Sequence, residues 1–367
     1  MANAPPLADA RIRDWIRPEI QALAAYAVPH GEGLIKLDAM ESPYAWPGEA
    51  LRDGWLAALA GIAINRYPDP EARALKAALM DWLAPPPGVG LLLGNGSDEL
   101  IQSLLIAVAG PGRVVLAPEP TFAMYRLTAA LLGIRWCGVP LVAPGFGLDL
   151  PAMRAAIEAE RPAIVFLAYP NNPTGNLFDR AAVEEICAMA PGIVVLDEAY
   201  HPFADATGLD LVARFPHVVV LRTLSKMGLA GIRLGCLLGH PDWLAELDKV
   251  RLPYNINALT QATGLFALRH AEVLAGHVAQ IRVGREILYT ALQTLAGITV
   301  WPSATNFLLF RCPDAECAFA ALQARGVLVR RLHGGHPLLD QCLRVSVGTA
   351  AENSRFLATL VYDLGAG

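Results

Sequence analysis

The amino-acid sequence predicts an α/β protein: a large domain with a mostly parallel seven-stranded sheet, and a smaller domain of the α+β type. One observation is that seven short apolar runs alternate with amphipathic stretches between residues 90 and 240. Another is that these runs are continuously apolar, which is typical of strands whose two faces are both covered by helices. A third is that the pattern changes after residue 256, where a long helical stretch precedes a few more strand-like runs.

The individual elements follow from these patterns along the chain. Residues 8–27 have a helical pattern, and the large domain is predicted to have strands at 91–93, 114–117, 134–139, 163–168, 193–196, 218–222 and 234–238. Helices fit between most of these strands, for example at 98–109, 122–132 and 181–189. The smaller domain is predicted to contain a helical region at 257–295, strands at 307–310, 327–329 and 343–347, and a closing helix from about residue 351. We place the large domain at residues 39–255, and the small domain at 1–38 together with 256–367.

Composition and charge exclude several classes of protein. Hydrophobic residues form 54% and charged residues 17% of the 367 residues, the opposite of the balance found in disordered chains. The net charge is −5 and the basic residues are scattered, so we expect neither nucleic acid nor a membrane among the partners. The first residues lack the apolar core of a signal peptide. Residues 287–310 are uncharged but contain Gly297 and Pro302, which indicates a helix, a turn and a strand rather than a membrane span.

The cysteines and histidines suggest neither disulfides nor a metal. The six cysteines include no CxxC spacing, so we expect free thiols in a reducing, cytoplasmic environment. His333 and His336 form an HxxH pattern in a glycine-rich loop, but no third ligand is near in the sequence. We therefore expect no metal site.

Polar motifs follow the predicted strands, at the edge where open parallel sheets bind their ligands. The first of them is GNGSDE at residues 94–99, which leads directly into a predicted helix. Its glycines would let the backbone approach an anion, and the helix N-terminus would supply free N–H groups. Gly96, Ser97 and Asp98 are therefore candidate anion ligands, although the same pattern is equally typical of a simple helix cap.

Two more strands end in motifs that suit a heterocyclic ligand. Residues 169–175 (YPNNPTG) hold two asparagine amides between prolines, and residues 197–200 (DEAY) place Asp197 directly after a strand. A carboxylate in that place either caps a helix or pairs with a cation. At about 4 Å, the attraction to a protonated ring nitrogen is worth roughly 4 kcal/mol at an intermediate dielectric constant. That would keep a pyridine ring protonated, as in pyridoxal phosphate sites that combine an acidic residue with a Schiff-base lysine.

A lysine of the required kind follows the next strand. Lys226 lies in Thr223-Leu224-Ser225-Lys226, between two apolar runs and among hydroxyl groups and glycines. Lysines are almost always exposed, so a surface role explains this position poorly. Arg233 follows in GIRLG and offers a planar donor fork that suits a phosphate group.

Together these motifs resemble the fold-type-I, pyridoxal-phosphate-dependent aminotransferases in order, spacing and strand context. Three further segments are similar to the histidinol-phosphate aminotransferases within that family: NRYPD at 65–69, PYNIN at 253–257 and LRVSVGT at 343–349. The resemblance extends from about residue 37 to residue 356. It implies transamination between histidinol phosphate and 2-oxoglutarate in histidine biosynthesis, by a homodimer with shared active sites.

The resemblance also implies a role for each matching residue. Lys226 would bond to the cofactor and carry the proton, Asp197 would pair with the ring nitrogen, and Asn172 and Tyr200 would bind the ring oxygen. Phe122 would stack on the ring. Tyr67 would reach the cofactor phosphate of the neighbouring subunit. The phosphate site would be lined by Gly96, Ser97, Asp98, Thr223, Ser225 and Arg233. Arg344 and Arg330 would bind the substrate.

Two departures from the family pattern lie on the expected substrate side. Residues 37–43 read LDAMESP where the family usually has LNANENP, and Arg331 stands where proline or aspartate is common. Alternatives on the same scaffold are a decarboxylase of phosphorylated amino acids such as threonine phosphate, and an aminotransferase of aromatic amino acids. A different class is a non-catalytic regulator, against which the presence of Asp197, Tyr200, Lys226 and Arg233 argues.

Overall fold

A computed structural model describes residues 10–24 and 31–364 of the chain. Within these ranges there are twelve strands: β1 Ile35–Leu37, β2 Gly90–Asn95, β3 Val114–Glu119, β4 Arg135–Pro140, β5 Ile164–Ala168, β6 Ile193–Asp197, β7 Val218–Thr223, β8 Leu234–Gly239, β9 Thr299–Val300, β10 Phe307–Arg311, β11 Val327–Arg331 and β12 Cys342–Ser346.

The same ranges contain fourteen α-helices. They are α1 Ala10–Trp15, α2 Pro18–Gln21, α3 Gly48–Ala60, α4 Arg73–Leu83, α5 Ser97–Val108, α6 Ala123–Leu131, α7 Leu150–Glu160, α8 Arg180–Met189, α9 Leu209–Arg214, α10 Pro241–Asp248, α11 Ala258–Arg269, α12 Ala271–Gln293, α13 Ala315–Ala324 and α14 Ala350–Leu364. Short 3-10 turns occur at His201–Phe203, Ser225–Met227, Ala230–Ile232 and Pro337–Leu339.

The larger sheet has seven strands in the order β2-β8-β7-β6-β5-β3-β4. Strands β3 to β7 pair in parallel, whereas β8 runs antiparallel to both β7 and β2. All seven predicted apolar runs form these strands, so the predicted mostly parallel seven-stranded sheet is confirmed. The carboxyl ends of β5, β6 and β7 lie side by side, which brings the motifs that follow them to one edge.

The central strands are apolar throughout because helices cover both faces of the sheet. Every residue of β5, β6 and β7 is buried. Successive residues of β6 alternate between two core clusters: Ile193 and Val195 pack with α5, α6 and α10, whereas Val194 and Leu196 pack with α7, α8 and α9. This two-residue alternation is the normal geometry of a strand.

The smaller sheet has five strands in the order β1-β11-β12-β10-β9. Strand β1 pairs in parallel with β11, with Leu37 opposite Val329, so a segment from the N-terminal part joins strands from the C-terminal part. The strands of the larger sheet all lie between residues 90 and 239. The domain boundaries at residues 39 and 255 stay a prediction.

One predicted element is confirmed only in part, and another is confirmed. The helical pattern at 8–27, of which residues 8–9 and 25–27 lie outside the described residues, contains two short helices rather than one, because Arg17 has extended backbone angles immediately before Pro18. The uncharged residues 287–310 do form a helix end, a turn and strands. Among the described helices, none combines the length and the apolar character that crossing a membrane requires.

Candidate active site

A cavity opens at the sheet edge where the strand-end motifs meet. Its lining includes Met40, Ser97, Asp98, Phe122, Tyr125, Ala168, Pro170, Asn172, Asp197, Ala199, Tyr200, Thr223, Ser225, Lys226 and Arg233. Ten of the twelve residues predicted to bind a cofactor are in this set. Residues more than 130 positions apart in the chain are thus brought together by the order of the strands.

Lys226 projects into the cavity from the 3-10 turn that follows β7. Its Nζ atom donates to the carbonyl of Ala39 at 3.4 Å and lies 5.7 Å from the centre of the Tyr200 ring. Loss of hydration lowers the pKa of Lys226 to about 8, and the positive charge of Arg344 acts in the same direction. A lysine with such a pKa is neutral for part of the time near neutral pH, which a nucleophile or a general base requires.

Asp197 ends strand β6, and its carboxylate is almost completely buried at the cavity wall. The Oδ1 atom accepts a hydrogen bond from the Ala199 N–H at 3.0 Å, and Oδ2 accepts one from the Tyr125 hydroxyl at 2.5 Å. The pKa of Asp197 is raised to about 6, mainly by burial and in addition by the charges of Asp98 and Glu198, while the two hydrogen bonds oppose the shift. The site can therefore hold a carboxylate ready to pair with a cationic ring.

Asn172 and Tyr200 form a hydrogen-bonded chain on another wall of the cavity. The Asn172 Nδ2 atom donates to the Tyr200 hydroxyl at 3.2 Å, and the Asn172 Oδ1 atom accepts from Arg344 Nη1 at 2.5 Å. The Tyr200 hydroxyl in turn donates to the Met40 sulfur at 3.4 Å. Burial raises the pKa of Tyr200, so that this side chain remains a neutral donor.

Hydrogen-bond donors lie around the N-terminus of α5. Ser97 is the first residue of α5, whose N-terminal N–H groups have no partner within the helix. Arg233 lies against Gly96 so closely that a Cβ atom on Gly96 would be 2.5 Å from the guanidinium. The φ angle of Gly96 is +85°, so glycine is required for both its conformation and its lack of a side chain. The Thr223 and Ser225 hydroxyls line the same cavity and lie 3.0 Å apart.

Four of the predicted site residues are not part of the cavity lining: Gly96, Tyr67, Arg330 and Arg344. Gly96 contributes backbone next to Arg233. Arg344 is buried beside the cavity, where its Nη2 atom donates to the Asp38 carbonyl at 2.9 Å. Arg330 is half-buried on β11 and is paired in register with Arg344 on β12. Tyr67 is 80% exposed, and its ring stacks on Tyr254 with the ring centres 4.3 Å apart.

Sequence reasoning missed two prominent residues of the lining. Tyr125 lies three positions after Phe122 near the start of α6, a spacing that places both residues on one helix face and could have indicated it. Met40 was recognised only as a departure from the family pattern. Its backbone is left-handed, with φ +54°, and is held by hydrogen bonds to the Ser346 and Asn306 side chains. These contacts join segments 306 and 266 residues apart, so no local pattern reveals them.

Comparison with known proteins identifies the family. The sequence pattern of the family described as aminotransferase class I and II matches residues 32–360. The chain belongs to the class I and II aminotransferases. A relative from Nitrosococcus oceani named histidinol-phosphate aminotransferase 2 is 54% identical over 95% of this aminotransferase and 97% of its own length. Histidinol-phosphate aminotransferase 1 from Ralstonia nicotianae is 50% identical over 99% and 98%.

Solved aminotransferase structures share the fold. The histidinol-phosphate aminotransferase of Sinorhizobium meliloti, solved in complex with pyridoxal-5'-phosphate, superposes with a TM-score of 0.85 at 26% identity. It covers 96% of this aminotransferase, which in turn covers 98% of that chain. The L-threonine-O-3-phosphate decarboxylase of Porphyromonas gingivalis has a TM-score of 0.74 at 22% identity, covering 90% of this chain and 100% of its own. The fold is thus common to transaminases and decarboxylases.

Proposed function

We propose that this aminotransferase uses pyridoxal phosphate to transfer the amino group of histidinol phosphate to 2-oxoglutarate, forming imidazole acetol phosphate and glutamate in histidine biosynthesis. The observation that carries the proposal is the cavity that combines Lys226, Asp197 and Arg233. Relatives named histidinol-phosphate aminotransferase, at 50% identity or more over nearly the whole chain, support this choice of substrate.

The cavity residues fit a flat, phosphorylated pyridine aldehyde. Donors that suit a phosphate group and the buried carboxylate of Asp197, a suitable partner for a protonated ring nitrogen, line the same cavity. Phe122 supplies an aromatic ring for stacking, and Asn172 with Tyr200 supplies polar groups for a ring oxygen. When bound, the cofactor would supply an electron sink for the substrate carbon. We therefore assign it to these residues.

Lys226 is the proposed base of the reaction. Its amine has a pKa lowered to about 8, so it can bond to an aldehyde carbon when neutral and take up the substrate Cα proton after release. The nearby Ala39 carbonyl and Tyr200 ring surround the amine and limit its positions. Restricting a proton carrier in this way lowers the entropy cost of the transfer.

Asp197, with Asn172 and Tyr200, would orient the ring and stabilise charge. An ionised Asp197 favours a protonated ring nitrogen, which draws electron density away from the reacting carbon. Tyr200 would redirect its hydroxyl from the Met40 sulfur, a weak acceptor, to the ring oxygen.

Arg344 and Arg330 are the proposed anion ligands for the substrates. Histidinol phosphate carries a phosphate dianion and no carboxylate, whereas glutamate carries two carboxylates. A guanidinium fork binds both kinds of anion with two parallel hydrogen bonds. Arg344 is connected to the cavity through Asn172, and its cross-strand pairing with Arg330 on neighbouring strands places two cations on one side of the small sheet.

We further propose a homodimer with shared active sites and two domains, 39–255 and 1–38 with 256–367. The support for the dimer is a group of exposed apolar side chains that includes Ile64, Tyr67 and Leu252, which are 78%, 80% and 70% exposed. Such residues commonly mark an interface. The cytoplasmic location that we propose rests on six free cysteine thiols, which fit a reducing compartment.

An amino-donor screen with 2-oxoglutarate tests the function. Glutamate formation is measured with histidinol phosphate, phenylalanine and tyrosine as donors, and carbon dioxide release is measured with threonine phosphate. We expect the highest kcat/KM for histidinol phosphate. A preference for aromatic amino acids would overturn the substrate but not the family, and carbon dioxide release without an amino acceptor would indicate the decarboxylase.

A further inference from the structure

The hydroxyl of Tyr125, on helix α6, donates a hydrogen bond to the carboxylate of Asp197 at the end of strand β6. Its hydroxyl lies 2.5 Å from Asp197 Oδ2, and neither residue is more than 5% exposed. The other carboxylate oxygen accepts from the Ala199 N–H at 3.0 Å. Each oxygen of Asp197 thus has one donor, and both Asp197 and Tyr125 also line the cavity.

The ring of Tyr125 is fixed by its aromatic neighbours. It stacks on Phe166 with ring centres 4.3 Å apart and an angle of 6°, and it meets Phe122 edge to face at 5.4 Å and 85°. Phe166 belongs to β5 and Phe122 is the candidate stacking residue of the cavity. The hydroxyl therefore stays in one place relative to both the carboxylate and the cavity.

The surroundings of Asp197 explain why such a donor is needed. Burial favours the neutral acid, and the negative charges of Asp98 and Glu198 act in the same direction. The Tyr125 hydroxyl and the Ala199 N–H are the groups that favour the ionised form. Burial and the charge of Asp197 also raise the pKa of Tyr125 well above its usual value, so the phenol keeps its proton and remains a donor.

We propose that Tyr125 is a positioning residue of transamination: its hydroxyl holds the Asp197 carboxylate ionised and turned toward the cofactor ring nitrogen. This inference rests on the proposed function. Tyr125 acts through Asp197, to which its hydroxyl donates. Of the charged and titratable groups that face Asp197, Asp98 belongs to α5, Glu198 and Tyr200 follow β6, and Tyr125 belongs to α6.

Tyr125→Phe keeps the aromatic ring and removes only the hydroxyl, so the ring contacts with Phe166 and Phe122 survive. The first measurement is the affinity of the cofactor-free protein for pyridoxal phosphate between pH 5 and 9. In the wild type we expect affinity to fall as the pH drops through about 6, where Asp197 takes up a proton. In the variant we expect this midpoint to move up by about one to two pH units, because a charge-assisted hydrogen bond is lost. The control is Tyr289→Phe, the same change at a hydroxyl outside the cavity, which should leave the midpoint unchanged.

A chemical rescue separates a loss of ring charge from general damage to the site. The N-methylated form of pyridoxal phosphate carries a permanent positive ring charge and does not depend on Asp197 to keep it. We expect Tyr125→Phe to lower kcat by about ten- to a hundred-fold with the ordinary cofactor, and the N-methylated cofactor to restore part of this loss. A variant that is merely misfolded would not respond.

A double-mutant cycle with Asp197→Asn keeps the proposal testable if Tyr125→Phe is unstable under some conditions. If Tyr125 acts through Asp197, adding Tyr125→Phe to Asp197→Asn should change cofactor affinity less than two-fold. Independent, multiplicative effects would overturn the proposal, as would an unshifted pH midpoint in a folded Tyr125→Phe protein. Absence of transamination in the wild type would instead refute the proposed function, so the two failures are distinguishable.

Discussion

At the scale of single residues, burial tunes the two groups on which the chemistry depends. It lowers the pKa of Lys226 to about 8 and raises that of Asp197 to about 6. Between these two values the amine and the carboxylate are both close to changing protonation state. Side chains with matched, shifted pKa values are typical of sites that move protons.

The lowered pKa of Lys226 predicts how the rate of covalent cofactor binding depends on pH. Only the neutral amine attacks an aldehyde, so the rate of reaction with added pyridoxal phosphate should rise with pH and reach half of its maximum near pH 8. Stopped-flow absorbance with cofactor-free protein measures this rate. Lys226→Ala serves as the control and should show no covalent capture and no transamination. A midpoint near pH 10, as for an ordinary exposed lysine, would contradict the prediction.

The arginines of the small sheet predict a loss that is specific to substrates. Arg344→Lys keeps the charge but removes the planar fork, so we expect kcat/KM for histidinol phosphate and glutamate to fall by about ten- to a hundred-fold. Arg330→Ala should act in the same direction, whereas cofactor affinity should change little in either variant. Arg331→Ala is the matched control on the same strand, because Arg331 pairs with Glu316 at the surface. Equal kinetics for the Arg330 and Arg331 variants would exclude a substrate role for Arg330.

At the scale of elements, the buried ion pair between Glu198 and Arg222 links the end of β6 to β7. Glu198 follows Asp197 and is fully buried, and its carboxylate lies 2.8 Å from the Arg222 guanidinium of β7. Thr207 and Gly208 also donate to this carboxylate. Asp197 and Thr223 are the chain neighbours of these two residues, so the pair fixes two strand ends that border the cavity.

Because the Glu198–Arg222 pair is buried, its loss should lower the free energy of unfolding more than the loss of an exposed salt bridge. Arg222→Ala leaves a buried carboxylate without its charge partner and should lower the free energy of unfolding by about 3–5 kcal/mol. Arg331→Ala removes an exposed pair and should cost about 0–1 kcal/mol. Urea unfolding at one fixed protein concentration, with cofactor-free protein, compares the two. If Arg222→Ala were as stable as Arg331→Ala, the buried ion pair would not stabilise the contact between these strands.

At the scale of the whole molecule, the decisive question is whether two chains build each active site. Tyr67 is exposed and stacks on Tyr254 at the surface rather than lining the cavity of its own chain. The family resemblance implies that this tyrosine reaches the site of a partner subunit. An exposed aromatic pair, like the exposed Ile64 and Leu252, is the kind of surface that such an arrangement would bury.

Subunit mixing tests the shared site. Tyr67→Phe should weaken cofactor affinity, and Lys226→Ala should be inactive. In a mixed dimer both lesions fall in one composite site if Tyr67 acts across the interface, so the other site is whole and activity is regained at low cofactor concentration. Mixing Lys226→Ala with Asp197→Asn is the control, because each lesion disables the site of its own chain. No gain over this control would place Tyr67 outside the partner's site.

The sequence by itself determined the strands of the large sheet and the residues that follow them. Strands β5 to β7 are buried on both faces, so their apolar runs are continuous, and polar residues directly after such runs must lie at the sheet edge. Lys226, Asp197 and Asn172 were predictable for this reason. The division into two short helices near the N-terminus was not predicted. Proline disfavours helical backbone angles at the residue before it, here Arg17, and the helical pattern of the side chains does not show this break.

Only the tertiary structure determined which residues, distant in sequence, contact the proposed catalytic and ligand-binding side chains. The bond from Tyr125 to Asp197, the contact of Met40 with Tyr200, and the bond from Arg344 to Asn172 each join segments between 72 and 172 residues apart. Such contacts depend on strand order and helix packing rather than on local pattern. The pKa shifts of Lys226 and Asp197 have the same origin, since burial arises only when the separate elements pack around them.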